Sequence, residues 1–150
     1  MTVVWRLASG RYSPLDGEGA PRVGGRWNSS GHAAVYTSES LALCLAKSLV
    51  HITGSLPRTY FNFKIYVPDD AIEILDAQSL ESRWEENLAY TRSVGDEWLT
   101  SRRSLALAVP SVVLPESTNF ILNPLHPRSA ELRLIAQRPF TFDARLRPKT

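Results

Sequence analysis

Cysteine is nearly absent from this chain. Cys44 is the single one among 150 residues, so no internal disulfide can form and a reducing compartment is the expected home. Histidine is almost as scarce: His32, His51 and His126 are too far apart to match a zinc-ligand spacing, and no metal is expected. Long apolar runs are missing too. The longest, 41–46, is far shorter than the ~20 residues that cross a bilayer, so no membrane span is expected. The opening MTVVWRLASG holds no long apolar stretch, so no secretion leader is expected and the cytoplasm is the expected location. Excess charge of one sign is also absent: 17 Lys and Arg stand against 15 Asp and Glu. A net charge of +2 is too balanced for a protein whose main task is gripping nucleic acid.

What remains is ordinary globular material. Apolar residues make up 43% and charged residues 21%, and a chain this long buries about 68–70% of its unfolded surface without a metal or disulfide. No repeat or linker divides it, so residues 1–150 read as one domain.

The pattern predicts an α+β fold of short strands and few helices. Strands are expected at 3–7, 33–36, 59–67, 72–75, 105–109, 112–114, 120–122, 132–136 and 140–142. The clearest is 59–67, where Phe61, Phe63, Ile65 and Val67 alternate with Tyr60, Asn62, Lys64 and Tyr66. Helices are expected at 81–91, at 94–103 and, capped by Thr37 or Ser38, at 39–52. At 100° per residue the 39–52 helix is apolar over most of its circumference. The narrow remaining strip holds Cys44, Lys47, Ser48 and His51, and it faces water or a cleft.

Three places could carry chemistry. The segment 9–31 is a long Gly-, Ser- and Pro-rich loop, and it contains Gly24-Gly25-Arg26-Trp27-Asn28. Paired glycines permit close backbone approach to a ligand, and the arginine offers a planar fork for phosphate or carboxylate. The same residues also suit a plain turn with a surface arginine and a core tryptophan. Arg6 lies between Trp5 and Leu7 in an apolar strand; it points to solvent, or inward to an anion. A proline-stiffened stretch carries Ser111, Glu116, Asn119 and Asn123, suited to hydrogen bonding or to turn formation alone. Cys44 reads as a packing residue, and no nucleophile elbow of the G-x-S-x-G type is present.

The string GGRWNSSGHAAVYTSESLALCLAKSLVH, followed by LALAVPSVVLPESTNFILNPLHP, resembles the RES-domain toxins of bacterial toxin–antitoxin pairs. That family is named for a characteristic Arg, Glu and Ser, and the likeness runs from Trp5 to Leu146. The resemblance implies a split, twisted β-core like that of ADP-ribosyltransferases, with short flanking helices and a cleft for NAD. It implies cleavage of the bond between nicotinamide and ribose, with NAD as substrate and water, phosphate or a protein as acceptor. It also implies a cognate antitoxin with an Xre-type helix-turn-helix, which covers the active site and links the pair to DNA. By the same resemblance Arg6 and Arg26 look like cleft arginines for the NAD phosphates, Tyr36 like the residue that stacks on nicotinamide, Ser111 like the family serine, and Asn123 like a pocket asparagine.

One position departs. Where the family reads glutamate, this chain has Lys47. The resemblance therefore leaves two expectations: an NAD-cleaving toxin impaired by Lys47, or a catalytically dead relative that only binds its antitoxin.

Overall fold

The computed structural model describes residues 2–10, 13–17 and 23–146. Among them, seven strands form one mixed sheet: β1 Thr2–Ser9, β2 Val35–Ser38, β3 Tyr60–Val67, β4 Ile72–Ile74, β5 Ala106–Pro110, β6 Thr118–Leu122 and β7 Arg133–Phe140. Their order is β4-β5-β6-β2-β1-β3-β7. The β4–β5 pair is parallel and the others are antiparallel. Two α-helices accompany the sheet, α1 Leu41–His51 and α2 Leu88–Ser101. The α+β expectation holds.

Period-two alternation sorts the core onto the two faces of the sheet. Ala106 and Leu122 join Val4, Val35, Phe63 and Ile65 in one cluster. Their neighbours Leu107, Val109 and Ile121 join Trp27, Trp98 and Leu99 in the other. The second cluster is where α2 and the glycine-bearing loop meet the sheet.

The expected helices at 81–91 and 94–103 are replaced by a short 3-10 turn, Trp84–Glu86, and the single helix α2. Asn87 caps α2 by accepting from the Tyr90 N–H at 3.0 Å. Gly95 lies inside the helix rather than near its start, because a Cβ there would sit 1.6 Å from the Trp27 carbonyl oxygen. Helix α1 is capped by Ser40, whose Oγ accepts from the Leu43 N–H at 3.1 Å. Thr37 and Ser38, the expected caps, belong to β2. Their hydroxyls donate across the sheet to Phe120 O at 2.7 Å and Asn119 Oδ1 at 2.8 Å.

The apolar 112–114 segment is not a strand. It belongs to a tight loop stapled by Ser111, whose N–H donates to Ser117 O at 3.0 Å and whose Oγ accepts from the Leu114 N–H at 3.1 Å. The two strands expected at 132–136 and 140–142 are one, β7. It tolerates Pro139 because it is the sheet's edge, where a missing N–H breaks no second ladder. Residues 11, 12 and 18–22 of the 9–31 loop lie outside the described residues.

Candidate active site

Strand β1 pairs with β3 along its full length, from Thr2↔Val67 to Ser9↔Tyr60. With β2 it shares the one pair Trp5↔Ser38. The sheet is split there, and backbone acceptors near the split turn to side chains. Arg6 Nη1 donates to Tyr36 O at 3.2 Å. The Cys44 thiol donates to Trp5 O at 3.1 Å. Helix α1 packs against β1 and β2 and lays its polar strip along the opening.

Two cavities adjoin at this split. One, of about 290 Å³, is lined by Arg6, Tyr36, Cys44, Lys47, Ser48 and His51 among others. The other, of about 330 Å³, includes Arg26, Trp27, Tyr36, Lys47, Ser111 and Asn119. Tyr36, Lys47 and His51 line both. The amphipathic reading of α1 thus locates the cleft wall, and Lys47 stands where the cavities meet.

The glycine loop is built around Tyr36. Its hydroxyl donates to Asn28 Oδ1 at 2.5 Å and accepts from the Trp27 N–H at 2.9 Å. Asn28 Oδ1 also accepts from the Gly25 N–H at 2.8 Å. Gly25 has to be glycine, because a Cβ would lie 2.6 Å from the Tyr36 ring carbon and hydroxyl. Gly24 adopts φ 74°, the left-handed region that favours glycine. Helix α2 fixes the loop from behind: Thr91 Oγ1 donates to Arg26 O at 2.6 Å, and Arg92 Nε to Gly25 O at 2.9 Å. Trp27 is buried and packs on Trp84, ring centroids 5.8 Å apart. The Arg26 guanidinium reaches Glu85 O through Nη1 at 2.9 Å.

Electrostatically the cleft is cationic. Burial pushes the Lys47 pKa down, against an upward pull from Cys44, and the charge of Arg6 adds a smaller push downward. The Lys47 ammonium lies 5.6 Å from the Tyr36 ring centroid. Burial lowers the Arg6 pKa as well, yet a guanidinium stays charged. Burial raises the Tyr36 phenol well above its ordinary value, so it remains a neutral donor. Burial likewise raises the Cys44 thiol, which keeps its proton and is a poor nucleophile.

Arg6, Arg26, Tyr36, Lys47 and Ser111 therefore come together on one cleft. Asn123 does not join them. It follows the end of β6, and its side chain donates to Leu99 O at 3.0 Å and accepts from the Leu125 N–H at 3.1 Å. Asn119, at the other end of β6, lines the cleft instead. His51, on the same helical strip as Lys47, lines both cavities. No group of residues suited to a metal ion occurs among the described residues, and no described helix is long and apolar enough to cross a membrane.

A profile of the RES domain family matches residues 3–143. Over 97% of its length the chain is 39% identical to "Toxin Res" of Yersinia enterocolitica, covering 99% of that protein. It is 35% identical to the "Prs ADP-ribosylating toxin" of a Sphingobium species, covering 97% of this chain and 96% of that one. Among solved structures it superposes on a chain of the M. tuberculosis MbcT–MbcA toxin–antitoxin complex with a TM-score of 0.77 at 21% identity. That match covers 93% of this chain and 84% of the other, and it shows a shared fold. The chain belongs to the RES domain family. It falls among that family's toxins.

Proposed function

We propose that this RES-domain chain descends from an enzyme that cleaves the nicotinamide–ribose bond of NAD, and that Lys47 disables the step. The observation that carries the reading is the position of Lys47 at the junction of the two cavities, between Arg6 and the Arg26–Trp27 loop. Nicotinamide departs with the electron pair of the glycosidic bond. Positive charge then develops on the ribose before an acceptor adds to its anomeric carbon. A carboxylate facing that carbon stabilises the developing charge, and an ammonium opposes it. Losing one such electrostatic group slows a reaction by about 10²–10³, and reversing its sign slows it further.

The rest of the cleft supports the substrate. Arg6 and Arg26 suit the pyrophosphate. The Tyr36 ring offers a face to nicotinamide, and Ser111 and Asn119 place polar groups in the same cavity. The partner in this reading is an antitoxin of the Xre helix-turn-helix type, seated over the cleft and carrying the contact with DNA. Lys47 itself favours a second reading, in which the chain has kept the antitoxin surface and lost the chemistry.

The test is NAD consumption by the purified chain, Lys47→Glu and Lys47→Glu/Arg26→Ala, each checked for folding by circular dichroism. Lys47→Glu is expected to consume NAD and arrest growth without the antitoxin. The added Arg26→Ala is expected to abolish both, because the phosphates lose their anchor. A folded Lys47→Glu protein that leaves NAD intact would refute the enzymatic reading.

A further inference from the structure

A file of cations lies on the sheet outside the cleft. Residues directly opposite each other in an antiparallel pair share a face. Arg133 stands opposite Tyr66, Ala136 opposite Lys64, and Arg138 opposite Asn62. Arg133 and Arg138 are five residues apart, a spacing that puts two side chains on opposite faces of a regular strand. A bulge adds Ile135 to β7 between Leu134 and Ala136, and so returns both arginines to the face of Lys64. Arg133, Lys64 and Arg138 thus occupy three successive rows of one face, about 7 Å from row to row. None of them pairs with a carboxylate among the described residues. Lys64 lies 5.5 Å from the Trp5 ring centroid. Glu131 and Asp143, the acids that flank β7 in the chain, are held by Arg128 and Arg145. In the row of Arg138, Asn62 is 3% exposed and its Nδ2 is buried without a partner. Strand β7 ends the strand order and is exposed from Arg133 to Pro139.

From this we infer that the β3–β7 face is a docking surface for a short, extended, acidic segment of a partner protein. In an extended chain every second side chain points the same way, so carboxylates at alternate residues recur at the spacing of the three cationic rows. The guanidinium groups of Arg133 and Arg138 suit such carboxylates. The open edge selects a polypeptide: residues 136–138 carry backbone groups that a neighbouring chain can pair with and that nucleic acid cannot register on. A second copy of this chain is excluded by charge, since it would bring the same cations against these. The bulge at Ile135 and the missing N–H of Pro139 also interrupt the long ladder that two β7 strands would need. None of the three cations lines either cleft cavity, so the surface is separate from the site of the proposed chemistry.

The experiment is fluorescence anisotropy of a labelled ten-residue peptide of alternating threonine and glutamate, titrated with the full chain at constant ionic strength. Saturable binding is expected, and it should weaken as salt is added. A peptide of alternating threonine and glutamine is expected not to bind, and one with the same glutamates in a single block to bind more weakly. Arg133→Glu/Arg138→Glu is expected to weaken binding about tenfold or more. Arg83→Glu/Arg102→Glu, which changes the net charge equally at the two ends of α2, is expected to bind like the parent. All variants are checked by circular dichroism. Failure of the alternating peptide to saturate overturns the assignment, as does equal binding of the glutamine or block peptide. Unchanged binding by a folded Arg133→Glu/Arg138→Glu, or an equal loss in the Arg83/Arg102 pair, overturns it too. Tighter binding of a single-stranded DNA of equal charge would make the face a nucleic-acid surface instead. The readout is peptide binding away from the cleft, so its failure is separable from a failure of Lys47→Glu to consume NAD.

Discussion

Gly95→Ala should destabilise the protein, against the ordinary preference of a helix interior. Position 95 lies mid-way along α2, where alanine normally gains about 0.8–1 kcal/mol over glycine. Here a Cβ would sit 1.6 Å from the Trp27 carbonyl oxygen, 2.6 Å from its carbon and 2.9 Å from the Trp27 Cβ. The obstruction is backbone rather than a side-chain tip, and that backbone is held. Arg26 O accepts from Thr91 at 2.6 Å, Gly25 O accepts from Arg92 at 2.9 Å, and the Ser29 N–H donates to Asp96 at 2.8 Å. Relief requires α2 to lift or the loop to give up these bonds. Overpacking of this kind costs about 1–3 kcal/mol and more where backbone must move. A net loss of about 3 kcal/mol lowers the Tm of a chain this size by roughly 6–12 °C. Thermal unfolding followed by circular dichroism measures it. Ser93→Ala on the exposed side of the same helix serves as reference and is expected within about 0.5 kcal/mol of the parent. An unchanged or raised Tm for Gly95→Ala would mean that α2 does not clamp the Trp27 loop.

Other outcomes follow from single contacts. Tyr36→Phe leaves the Trp27 N–H without its acceptor and should cost about 1–3 kcal/mol, seen as a lower Tm; an unchanged Tm would show that the hydroxyl does not organise the loop. Asn123→Ala strands Leu99 O and the Leu125 N–H. It should also cost about 1–3 kcal/mol while leaving the NAD turnover of a Lys47→Glu background intact, and lost turnover with retained stability would place Asn123 in the site after all. Burial holds the Lys47 pKa below its ordinary value, so across that interval the unfolded chain binds a proton that the folded chain lacks. Stability therefore rises as pH climbs through the interval, and the full penalty is present below it. Lys47→Met should flatten that slope and raise the Tm near neutral pH, and parallel Tm–pH curves for the two proteins would contradict it.

The polar strip of α1 was legible because a 3.6-residue period concentrates Cys44, Lys47, Ser48 and His51 on one line, and the fold gave that line a cleft to face. The GGRWN loop was legible because few sequences need two adjacent glycines. Its reason was not, since the requirement at Gly25 comes from the ring of Tyr36, eleven residues further on. Helix α2 runs through the gap expected at 92–93, and the contact of Gly95 with Trp27 that holds it there is tertiary. Asn119 and Asn123 lie at opposite ends of the same short strand, and no local signal separates them. What does is register: Ser38↔Asn119 places one beside β2 and the cleft, and the other falls past the end of the ladder. The 112–114 run looked like a strand because it is apolar, but the Ser111 staple turns it into a loop with Val113 and Leu114 exposed.

The split in the sheet explains why one helix position can decide what the cleft does. Because β1 commits its ladder to β3 and β2 commits its own to β6, the junction carries the single pair Trp5↔Ser38. The Tyr36 carbonyl must then find a donor that is not a neighbouring strand, and Arg6 supplies it. The arginine is thereby held at the cavity by the fold itself, whether or not a ligand is present. Position 47, across the cavity on α1, has no such duty: Lys47 supports no backbone group and pairs with no acid among the described residues. Its charge can change without unmaking the sheet. In the function proposed above, a carboxylate there would face the developing positive charge, and the ammonium of Lys47 opposes it. The same backbone can therefore carry either sign at position 47, which is why Lys47→Glu is the substitution that tests the proposed chemistry.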